Sequence, residues 1–470
     1  MNFDKIFICI LFFSGVFISE VDARQPDITG TNKSVNTEVT GWRAACVRPT
    51  TQITMEVNNV RARLLTGGDI WNISPTQGGY IVPKPAPGQL PVSAIYAGGV
   101  WIGGRDRAGN TKLSGVTYRS DGTDFFAGPL DINGTTDKEV CDNWDRFFTV
   151  TGINVRNHYN KVIKFKETGV PIDCDSIPDD VRYWPGQGNP YWREKFTFNL
   201  PDQPLGAFWD DDQDNIYDPC NGDFPLIDIR GCEPDDIGEA KELIPDQMIF
   251  WIYNDNGGPQ TLSGPSSIQM EVQVQSFAYS TNDEINDMTF YRYKLINKAA
   301  EDLVDCYFSM WIDPDLGCSE DDFIGCDISR SLAIVYNQDA VDGNNGSSCD
   351  GTNTYGTEIP IIGMDYFRGP LGPKVFKRDA MGIPLLDAEG NKILEEPEPF
   401  TGQQDTLIEL GMTSFTYHER QIGGSFPPAT TDPQRGREDG FYNYIRGFWR
   451  DGTPLTFGGS GYNPGSTDTV

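Results

Sequence analysis

Apolar and polar residues alternate along several short stretches of the chain, and a period of two is typical of β-strands. The stretch 268–274 (IQMEVQV) places its isoleucine, its methionine and its valines on one face. The stretches 291–295 (YRYKL) and 306–312 (CYFSMWI) alternate in the same way. Because successive side chains of a strand point to opposite faces of a sheet, these stretches predict half-buried strands.

The alternation changes phase after Gln275. The next apolar positions are Phe277 and Tyr279, which have odd numbers, whereas the apolar positions of 268–274 are even. One extra residue in a strand produces such a shift, so we expect a β-bulge near Gln275–Ser276.

Turn residues divide the chain into short segments, since it contains 51 glycines and 32 prolines. The sequences DRAGN (106–110) and DAEGN (387–391) lie between apolar stretches and predict hairpin turns in which glycine supplies a positive φ. Long helical periodicity is nearly absent, and DDIGEAKELI (235–244) is the best candidate for a short helix. We predict an all-β fold of antiparallel β-sandwich-like domains with long loops and few short helices.

The chain divides into five predicted regions, with a weak domain boundary near Pro245. Each of the two central domains contains one acidic loop. The regions are a signal peptide (1–23), an extended leader (24–45), a β-rich domain (46–245), a β-sandwich-like domain (246–370), and a hairpin insertion with an irregular C-terminal segment (371–470).

The N-terminus has the features of a secretory signal peptide. Lys5 precedes an apolar run from Ile6 to Ile18, and Val21–Ala23 supplies a cleavage position. The run is too short for a stable membrane span, and an uncleaved anchor is the alternative. No other apolar run in the sequence reaches the roughly 18 residues of a membrane helix. We therefore expect a mature chain that is secreted or held at the cell surface, with no transmembrane segment.

The chain is strongly acidic, with a formal net charge of −31 at pH 7. Such a charge repels nucleic acid and anionic membrane surfaces, so neither is an expected partner. The same charge attracts cations. Solubility of an exported protein is the alternative explanation.

Nine cysteines remain after the predicted cleavage, and an oxidising exterior would pair most of them. Cys220 with Cys232, and Cys318 with Cys326, would each close a short loop. Spacing alone does not determine the connectivity, and the odd number leaves one thiol over. Zinc is a poor alternative because the sequence has no CxxC motif and only two histidines.

The sequence DDDQDNIYD, which begins at Asp210, crowds five aspartates into nine residues. Asp210, Asp212, Asp214 and Asp218 fall at positions 1, 3, 5 and 9 of a calcium loop. Alternate carboxylates in a tight loop converge on one centre, and Ca²⁺ takes roughly 6–8 oxygen ligands. The spacing predicts a calcium site, and a solvated acidic turn is the alternative.

Further positions of this loop carry expectations of their own. Asn215 at position 6 should have a positive φ, and Ile216 at position 7 should offer its backbone carbonyl and point its side chain inward. Position 12, a glutamate in EF-hands, is Asn221, so Asp223 is the expected substitute ligand. Without flanking helical patterns, the loop resembles the calcium loops of dockerins and thrombospondin type 3 repeats, which share a DxDxDGxxD core.

A second acidic run, DPDLGCSEDDFIGCD (313–327), follows the predicted strand that ends at Ile312. A Cys318–Cys326 bridge would draw its two ends together. Calcium is predicted here as well, and a surface acidic loop is the alternative. The candidate ligands are Asp313, Asp315, Asp321, Asp322 and Asp327, with Glu320 beside them.

The sequence contains no catalytic motif: GxSxG, GxGxxG and P-loop patterns are absent. We expect His158 and His418 to be surface or hydrogen-bonded residues rather than catalytic bases. A glycosidase needs only two carboxylates, and the aromatic stretch 184–192 (WPGQGNPYW) is a candidate sugar-binding loop. Packing of these rings against the prolines of a turn is the preferred interpretation.

Several stretches together resemble the N-terminal region of large exported, type IX secretion-associated, β-rich surface proteins of Bacteroidota. The resemblance implies an extracellular or cell-surface protein with calcium loops, and it implies no reaction. The sequence differs from that family because it has no C-terminal sorting domain, so the chain is a truncated piece or its export route differs. The stretches are IYAGGVWIGGRDRAGN (95–110), YRSDGTDFFAGPLD (118–131), FWDDDQDNIYDP (208–219), MWIDPDLGCSEDDFIGCD (310–327), IVYN (334–337) and YNYIRGFWRDGTPLTFGGSGYN (442–463).

These observations support an exported, calcium-stabilised structural or adhesive protein of the bacterial cell surface as the first hypothesis. A secreted carbohydrate-binding or glycan-hydrolysing protein is the second, and a component of a surface secretion or motility assembly is the third. The expected partners are other cell-surface proteins or extracellular glycans.

Overall fold

The computed structural model describes residues 15–17, 45–74, 77–343, 349, 353–373, 377, 385–387, 407–419, 427–435, 437–458 and 461–469. The predicted signal peptide and leader lie outside the described residues, except for 15–17 and 45. The predicted turn at 387–391 also lies outside them, except for its first residue.

Strands make up most of the regular structure. They are β1 (Gly15–Phe17), β2 (Gln52–Met55), β3 (Arg61–Leu65), β4 (Asn72–Ser74), β5 (Gln77–Gly78), β6 (Tyr80–Ile81), β7 (Ser93–Ile95), β8 (Ala97–Arg105), β9 (Thr111–Ser114), β10 (Phe126–Ala127), β11 (Phe148–Thr151), β12 (Phe208–Trp209), β13 (Phe224–Pro225), β14 (Gln247–Asn254), β15 (Met270–Ala278), β16 (Phe290–Asn297), β17 (Val304–Asp313), β18 (Asp322–Asp327), β19 (Leu332–Asn337), β20 (Ile362–Asp365), β21 (Leu371–Pro373) and β22 (Leu407–Glu409).

The α-helices are few and mostly short. They are α1 (Lys138–Trp144), α2 (Gly152–Thr168), α3 (Asp179–Arg182), α4 (Trp192–Lys195), α5 (Ile237–Ala240) and α6 (Arg437–Ile445). Single 3₁₀ turns occur at Cys174–Ser176, Lys241–Leu243, Glu284–Asp287, Ile328–Arg330, Pro428–Thr430 and Pro433–Arg435.

Two sheets pack face to face around the main core. In the central sheet, β15 pairs antiparallel with β14 and β16, while β10 and β11 pair with β14, and β1 runs parallel to β16. The facing sheet combines β9–β8–β17 with β2–β3–β6–β7, which are joined by bridges at Ile70. Trp71 and Trp251, both almost fully buried, lie in the core between them. This arrangement confirms the predicted all-β, sandwich-like fold.

The predicted bulge in β15 is wrong. Gln275 pairs with Phe250 and Arg292, and the pairing continues without a shift through Phe277. All nine residues of β15 are buried, because both faces of the central sheet are covered. Val272 and Val274 contact the main core, whereas Phe277 belongs to a second core on the other face, so the apolar positions change parity without an extra residue.

The second core contains a long helix that the sequence analysis missed. The 17 residues of α2 place Val155, Tyr159 and Val162 on one buried face, at the spacing of an amphipathic helix. Gly169 ends the helix in a left-handed conformation with φ 71°. Long helical periodicity, expected to be nearly absent, is present in this stretch. The short helix expected within 235–244 is present as α5 and the 3₁₀ turn Lys241–Leu243.

The outer face of the β9–β8–β17 sheet is also covered. Phe441 of helix α6 packs edge-on against Trp101 of β8. Phe441 and Trp449, which follows the helix, are both completely buried in this cluster. The predicted hairpin turn at 106–110 joins β8 to β9, and Gly109 has φ 87° as expected. The main core and the second core each contain residues from both sides of Pro245, so the two predicted domains pack against each other.

Disulfides tie distant parts of the chain together. The bonds are Cys46–Cys141, Cys174–Cys220 and Cys318–Cys349. The suggested short loops Cys220–Cys232 and Cys318–Cys326 are therefore wrong. In both cases the fold, and not proximity along the chain, brings the partner within reach.

Candidate metal centres

The first acidic loop is anchored at both ends. Strands β12 and β13 pair as Phe208↔Pro225 and Trp209↔Phe224, and the acidic residues lie between them. Tyr217 and Phe224 are fully buried in the second core, and the Tyr217 hydroxyl donates to the Val181 carbonyl at 2.6 Å. These anchors hold the loop closed and leave its tip at the surface.

The backbone of the loop folds around Asp210. Its carboxylate accepts hydrogen bonds from the backbone N–H groups of Asp214 (3.2 Å) and Asn215 (2.8 Å). Asn215 has φ 63°, which confirms the left-handed conformation expected at position 6. Gln213, with φ 60°, is left-handed as well. Two left-handed residues in three positions turn the chain tightly enough to face the alternate side chains inward.

Three of the predicted ligands meet. One carboxylate oxygen from each of Asp210, Asp212 and Asp214 lies within 4.8 Å of the others. Partial desolvation, and then the charges of Asp214 and Asp210, raise the pKa of Asp212. Ligand oxygens on opposite sides of a calcium ion are about 4.8 Å apart at Ca–O distances near 2.4 Å, so the spacing fits such an ion.

Ile216 does not point inward as expected. Its side chain is 44% exposed and packs next to Gly188, whereas the following residue, Tyr217, is the buried one. The loop is anchored by the aromatic ring at position 8, and the backbone carbonyl at position 7 is the group through which Ile216 could serve a cation.

Asp218 and Asp223 lie outside the three-carboxylate cluster and stabilise the loop. Asp218 Oδ1 accepts from the Cys220 N–H at 2.9 Å. The two oxygens of Asp223 accept from the N–H groups of Asp211 (2.8 Å) and Asp218 (2.7 Å). Burial raises the pKa of Asp223 to about 7. Asp223 therefore stabilises the loop through hydrogen bonds from its backbone. At position 12 of the loop, the side-chain amide of Asn221 donates a hydrogen bond to Asp212.

The adjacent Asp211 has a partner of its own. Lys166 of α2 forms an ion pair with Asp211 at 2.8 Å, and the Trp209 indole N–H donates to the same carboxylate oxygen at 2.9 Å. The even-numbered carboxylates thus face one centre, while Asp211 faces the body of the protein.

The second acidic run is brought into a buried cluster with a residue that the sequence analysis missed. Oxygens of Asp321 and Asp342 lie within 4.8 Å of each other and of the Cys318 sulfur. Asp321 is 7% exposed and Asp342 is 3% exposed. The only sequence signal for Asp342 is the Asp-Gly turn in AVDGNNG, which points to a turn and not to a ligand.

Asp322 and Asp315 belong to the same neighbourhood. Asp322 Oδ2 accepts from the Leu316 N–H at 2.8 Å. Burial, together with the charges of Asp321, Asp342 and Asp315, raises the pKa of Asp322 to about 7. Burial and the charge of Asp313 raise the pKa of Asp315 to about 7.

Asp313 and Asp327, the remaining candidate ligands of this run, do not belong to the buried cluster. Asp313 accepts a hydrogen bond from the Tyr118 hydroxyl at 2.7 Å and lines a neighbouring cavity. Asp327 caps the Ile328–Arg330 turn and pairs with Arg330 at 2.6 Å. Hydrogen bonds from the Ser329 hydroxyl and from Arg330 lower the pKa of Asp327.

The neighbouring cavity has a volume of about 710 Å³ and mixed walls. Trp311, Tyr366 and Met364 supply apolar surface, and Asp313 and Asp315 supply charge. By contrast, the aromatic stretch 184–192 does not form a binding surface through its tryptophans. Trp184 and Trp192 are each 1% exposed and pack among the apolar side chains of the second core.

No protein-family model, curated protein or solved structure matches the chain. Among the described residues, no helix is long and apolar enough to cross a membrane.

Proposed function

We propose that this chain is an exported structural or adhesive protein of the bacterial cell surface, and that it is stabilised by Ca²⁺ at the loop Asp210–Asp218. The side-chain ligands are the carboxylates of Asp210, Asp212 and Asp214, and the Ile216 backbone carbonyl is a further ligand. Asp218 stabilises the loop through its hydrogen bond from the Cys220 N–H. Calcium supplies a positive charge that neutralises repulsion among carboxylates and joins them through oxygen ligands.

The observation that carries this proposal is the convergence of three alternate carboxylates within 4.8 Å, in a loop whose sixth residue is left-handed. A solvated acidic turn would lower its own energy by spreading these charges, because like charges at close range repel. Among the described residues, ion pairs involve none of Asp210, Asp212 and Asp214. A bound cation accounts for both the spacing and the lack of basic partners.

A stabilising role fits better than a switching role. The loop is held by the β12–β13 pair, by the buried Tyr217 and by the Cys174–Cys220 bond, so its ends have little freedom to move. Extracellular calcium modules bind with dissociation constants of about 10⁻⁴–10⁻³ M. At about tenfold excess of calcium, one site adds about 1.4 kcal/mol to the free energy of unfolding.

The double variant Asp212→Asn/Asp214→Asn tests the site directly. Native mass spectrometry of the full chain in CaCl₂ should show one calcium fewer than in the wild type. The exposed Asp202, which lies outside the loop, provides the matched control, and Asp202→Asn should leave the number unchanged. If the double variant binds as many calcium ions as the wild type, the proposal fails.

The location is tested separately. Intact cells that express the full chain should lose it on treatment with an external protease, and the N-terminus of the mature chain should follow Ala23. Retention inside the cell would remove the surface role and leave the calcium site untouched. Partners would then be sought among other surface proteins and extracellular glycans.

Carbohydrate binding is the second candidate function, and the cavity of about 710 Å³ favours it. Aromatic walls beside carboxylates are suited to sugar rings, which combine apolar faces with hydroxyl groups. A glycan array with the full chain tests this. The expected hit would weaken in the variant Tyr366→Ala, and an array without any hit would exclude the function.

A further inference from the structure

We propose that Asp321, Asp322 and Asp342, together with the side-chain oxygen of Asn337, form a second and buried site for Ca²⁺. This site does not depend on the loop Asp210–Asp218, from which it differs in ligands, in burial and in the chain segments that it joins.

The first argument is the presence of buried oxygens without hydrogen-bond partners. Asp321 Oδ1, Asp322 Oδ1 and Asn337 Oδ1 are all inaccessible to solvent, and none has a partner in the described part of the chain. A buried acceptor that is left without a donor destabilises the folded state, because it loses the hydrogen bond that water gave it in the unfolded chain. Asp322 and Asn337 stand at the paired ends of β18 and β19, and Asp321 is the residue before Asp322. One cation that is bound by these oxygens explains their lack of donors better than three unrelated unsatisfied acceptors do.

The second argument is the proximity of these groups in two pairs, Asp322 with Asn337 and Asp321 with Asp342. Asp322 begins β18 and pairs directly with Asn337, the last residue of β19. Side chains at such paired positions have Cβ atoms about 4.5–5.5 Å apart on the same face. Asp321 precedes Asp322, and an oxygen of Asp342 lies within 4.8 Å of an oxygen of Asp321. The separation between Asp321 and Asp342 is that of two oxygens that share one calcium ion.

The remaining oxygens of the cluster are already oriented by the backbone. Asp321 Oδ2 accepts from the Gly343 N–H at 2.8 Å, and Asp342 Oδ1 accepts from the Cys318 N–H at 2.9 Å. Asp342 Oδ2 accepts from the Tyr355 N–H. Each carboxylate oxygen keeps a second lone pair, so these bonds fix the side chains without preventing coordination.

The chemistry of the donors selects a hard cation. Cys318 is bonded to Cys349 and therefore has no thiolate to offer, so the available ligands are oxygens. Ion pairs among the described residues involve none of Asp321, Asp322 and Asp342, so no basic side chain neutralises the cluster. Oxygen ligands in an irregular arrangement suit Ca²⁺ better than Mg²⁺, which requires nearly octahedral geometry.

The ion would join segments that are separate along the chain. The loop that follows β17, the hairpin β18–β19 and the turn at Asp342 meet at this point, and the Cys318–Cys349 bond lies beside them. The end of β17 and this loop supply Asp313 and Asp315 to the wall of the large cavity. A cation here would hold that wall in place.

The test counts calcium ions in variants of the full chain by native mass spectrometry in CaCl₂. The wild type should bind two ions, and Asp321→Asn/Asp322→Asn should bind one. Asp327→Asn removes a charge from the same acidic run but lies outside the cluster, and it should still bind two. The proposal is overturned if Asp321→Asn/Asp322→Asn binds as many ions as the wild type.

A milder variant keeps the test decisive if the double variant does not fold. Asn337→Ala removes one ligand oxygen and no charge, and calorimetric titration with CaCl₂ should show one of two binding steps weakened at least tenfold. Unchanged affinity at both steps would overturn the proposal. The variant Asp212→Asn/Asp214→Asn should retain the second step, so failure at one site is distinguishable from failure at the other.

Discussion

The indole N–H of Trp311 donates a hydrogen bond to Nε2 of His418 at 3.1 Å, across 107 positions of the sequence. The imidazole ring also stacks on Trp101, with 6.2 Å between ring centroids. Trp101 and Trp311 lie on β8 and β17, so this contact joins the C-terminal segment to the outer face of a sheet. Because Nε2 accepts a hydrogen bond here, the ring must be neutral at that nitrogen.

This contact predicts a loss of stability on acidification. Burial lowers the pKa of His418 to about 4, from about 6.5 in an unfolded chain. Between these values the unfolded state binds a proton that the folded state does not, so the free energy of unfolding falls as pH falls from about 6.5 to about 4. The contribution of this residue is about 3 kcal/mol, at about 1.4 kcal/mol per pH unit.

The variant His418→Gln isolates the effect, because glutamine can accept the Trp311 hydrogen bond without titrating. Urea unfolding at pH 7 and pH 4.5 should show a smaller pH dependence in the variant than in the wild type. His158, whose pKa burial also lowers to about 4, remains in both proteins and cancels in the comparison. Equal pH dependence in the two proteins would contradict the assignment.

The central strand β15 shows what periodicity can and cannot reveal. The alternation over 268–274 predicted a strand correctly, because its even-numbered side chains face the main core. It could not show that Gln273 and Gln275 face a second protein layer and not water. Their amides donate to the carbonyls of Pro204 and Leu226, partners from far away in the sequence. A polar residue in an alternating pattern suggests exposure to solvent, whereas these two glutamines are buried and hydrogen-bonded.

The acidic clusters show a similar division. The spacing of Asp210, Asp212 and Asp214 was visible because all three carboxylates lie in one short loop. The partnership of Asp321 with Asp342 was not visible, because a turn and a hairpin bring together residues that are 21 positions apart. Helix α2 was missed for another reason: its buried face includes His158, and its exposed face is strongly polar, so its apolar signal is weak.

Gly317 should be intolerant of alanine. Its φ is 76°, and an added Cβ would lie 2.0 Å from Asp342 Oδ2. Gly109 is also left-handed, with φ 87°, but a Cβ there would meet no atom within 4 Å. We expect Gly109→Ala to cost about 1–2 kcal/mol for the backbone alone, and Gly317→Ala to cost several kcal/mol more. Urea unfolding of the two variants measures the difference, and equal losses would show that Asp342 moves freely.

Peptide mapping without reduction should recover the three observed disulfides. The bridged peptides should contain Cys46 with Cys141, Cys174 with Cys220, and Cys318 with Cys349. The loop closed by Cys46–Cys141 is the longest, so the variant Cys46→Ala/Cys141→Ala should lose about 2–5 kcal/mol of unfolding free energy.

The same peptide map also tests cysteines that form none of these three disulfides. Cys306 and Cys326 are exposed, so an alkylating reagent should modify both in the native protein. Partial desolvation of the sulfur atoms, and then the charges of Asp305 and Asp327, raise the pKa of the two thiols. The reaction should therefore be slow at neutral pH and faster at pH 9. Recovery of a Cys318–Cys326 or a Cys220–Cys232 peptide instead would contradict the observed connectivity.

Glu409 should be among the most sensitive charged residues in the protein. It is 3% exposed, and its carboxylate pairs with both Arg230 and Arg368, the latter at 2.7 Å. These contacts join β22 to a loop of the second core, 179 positions away in the sequence. Removing one charge from a buried group of this kind leaves the other charges without compensation and typically costs about 3–5 kcal/mol.

The exposed pair between Arg107 and Asp302 provides the matched comparison, because its side chains are 79% and 63% exposed. Exposed pairs contribute about 0–1 kcal/mol, since water and salt screen them. Urea unfolding should therefore show a loss of about 3 kcal/mol or more for Glu409→Gln and little change for Asp302→Asn. Raising the salt concentration should not reduce the larger loss, because buried charges are screened weakly. A loss for Glu409→Gln no greater than that for Asp302→Asn would mean that the two arginines find other partners, and that β22 is held to the second core by its apolar contacts alone.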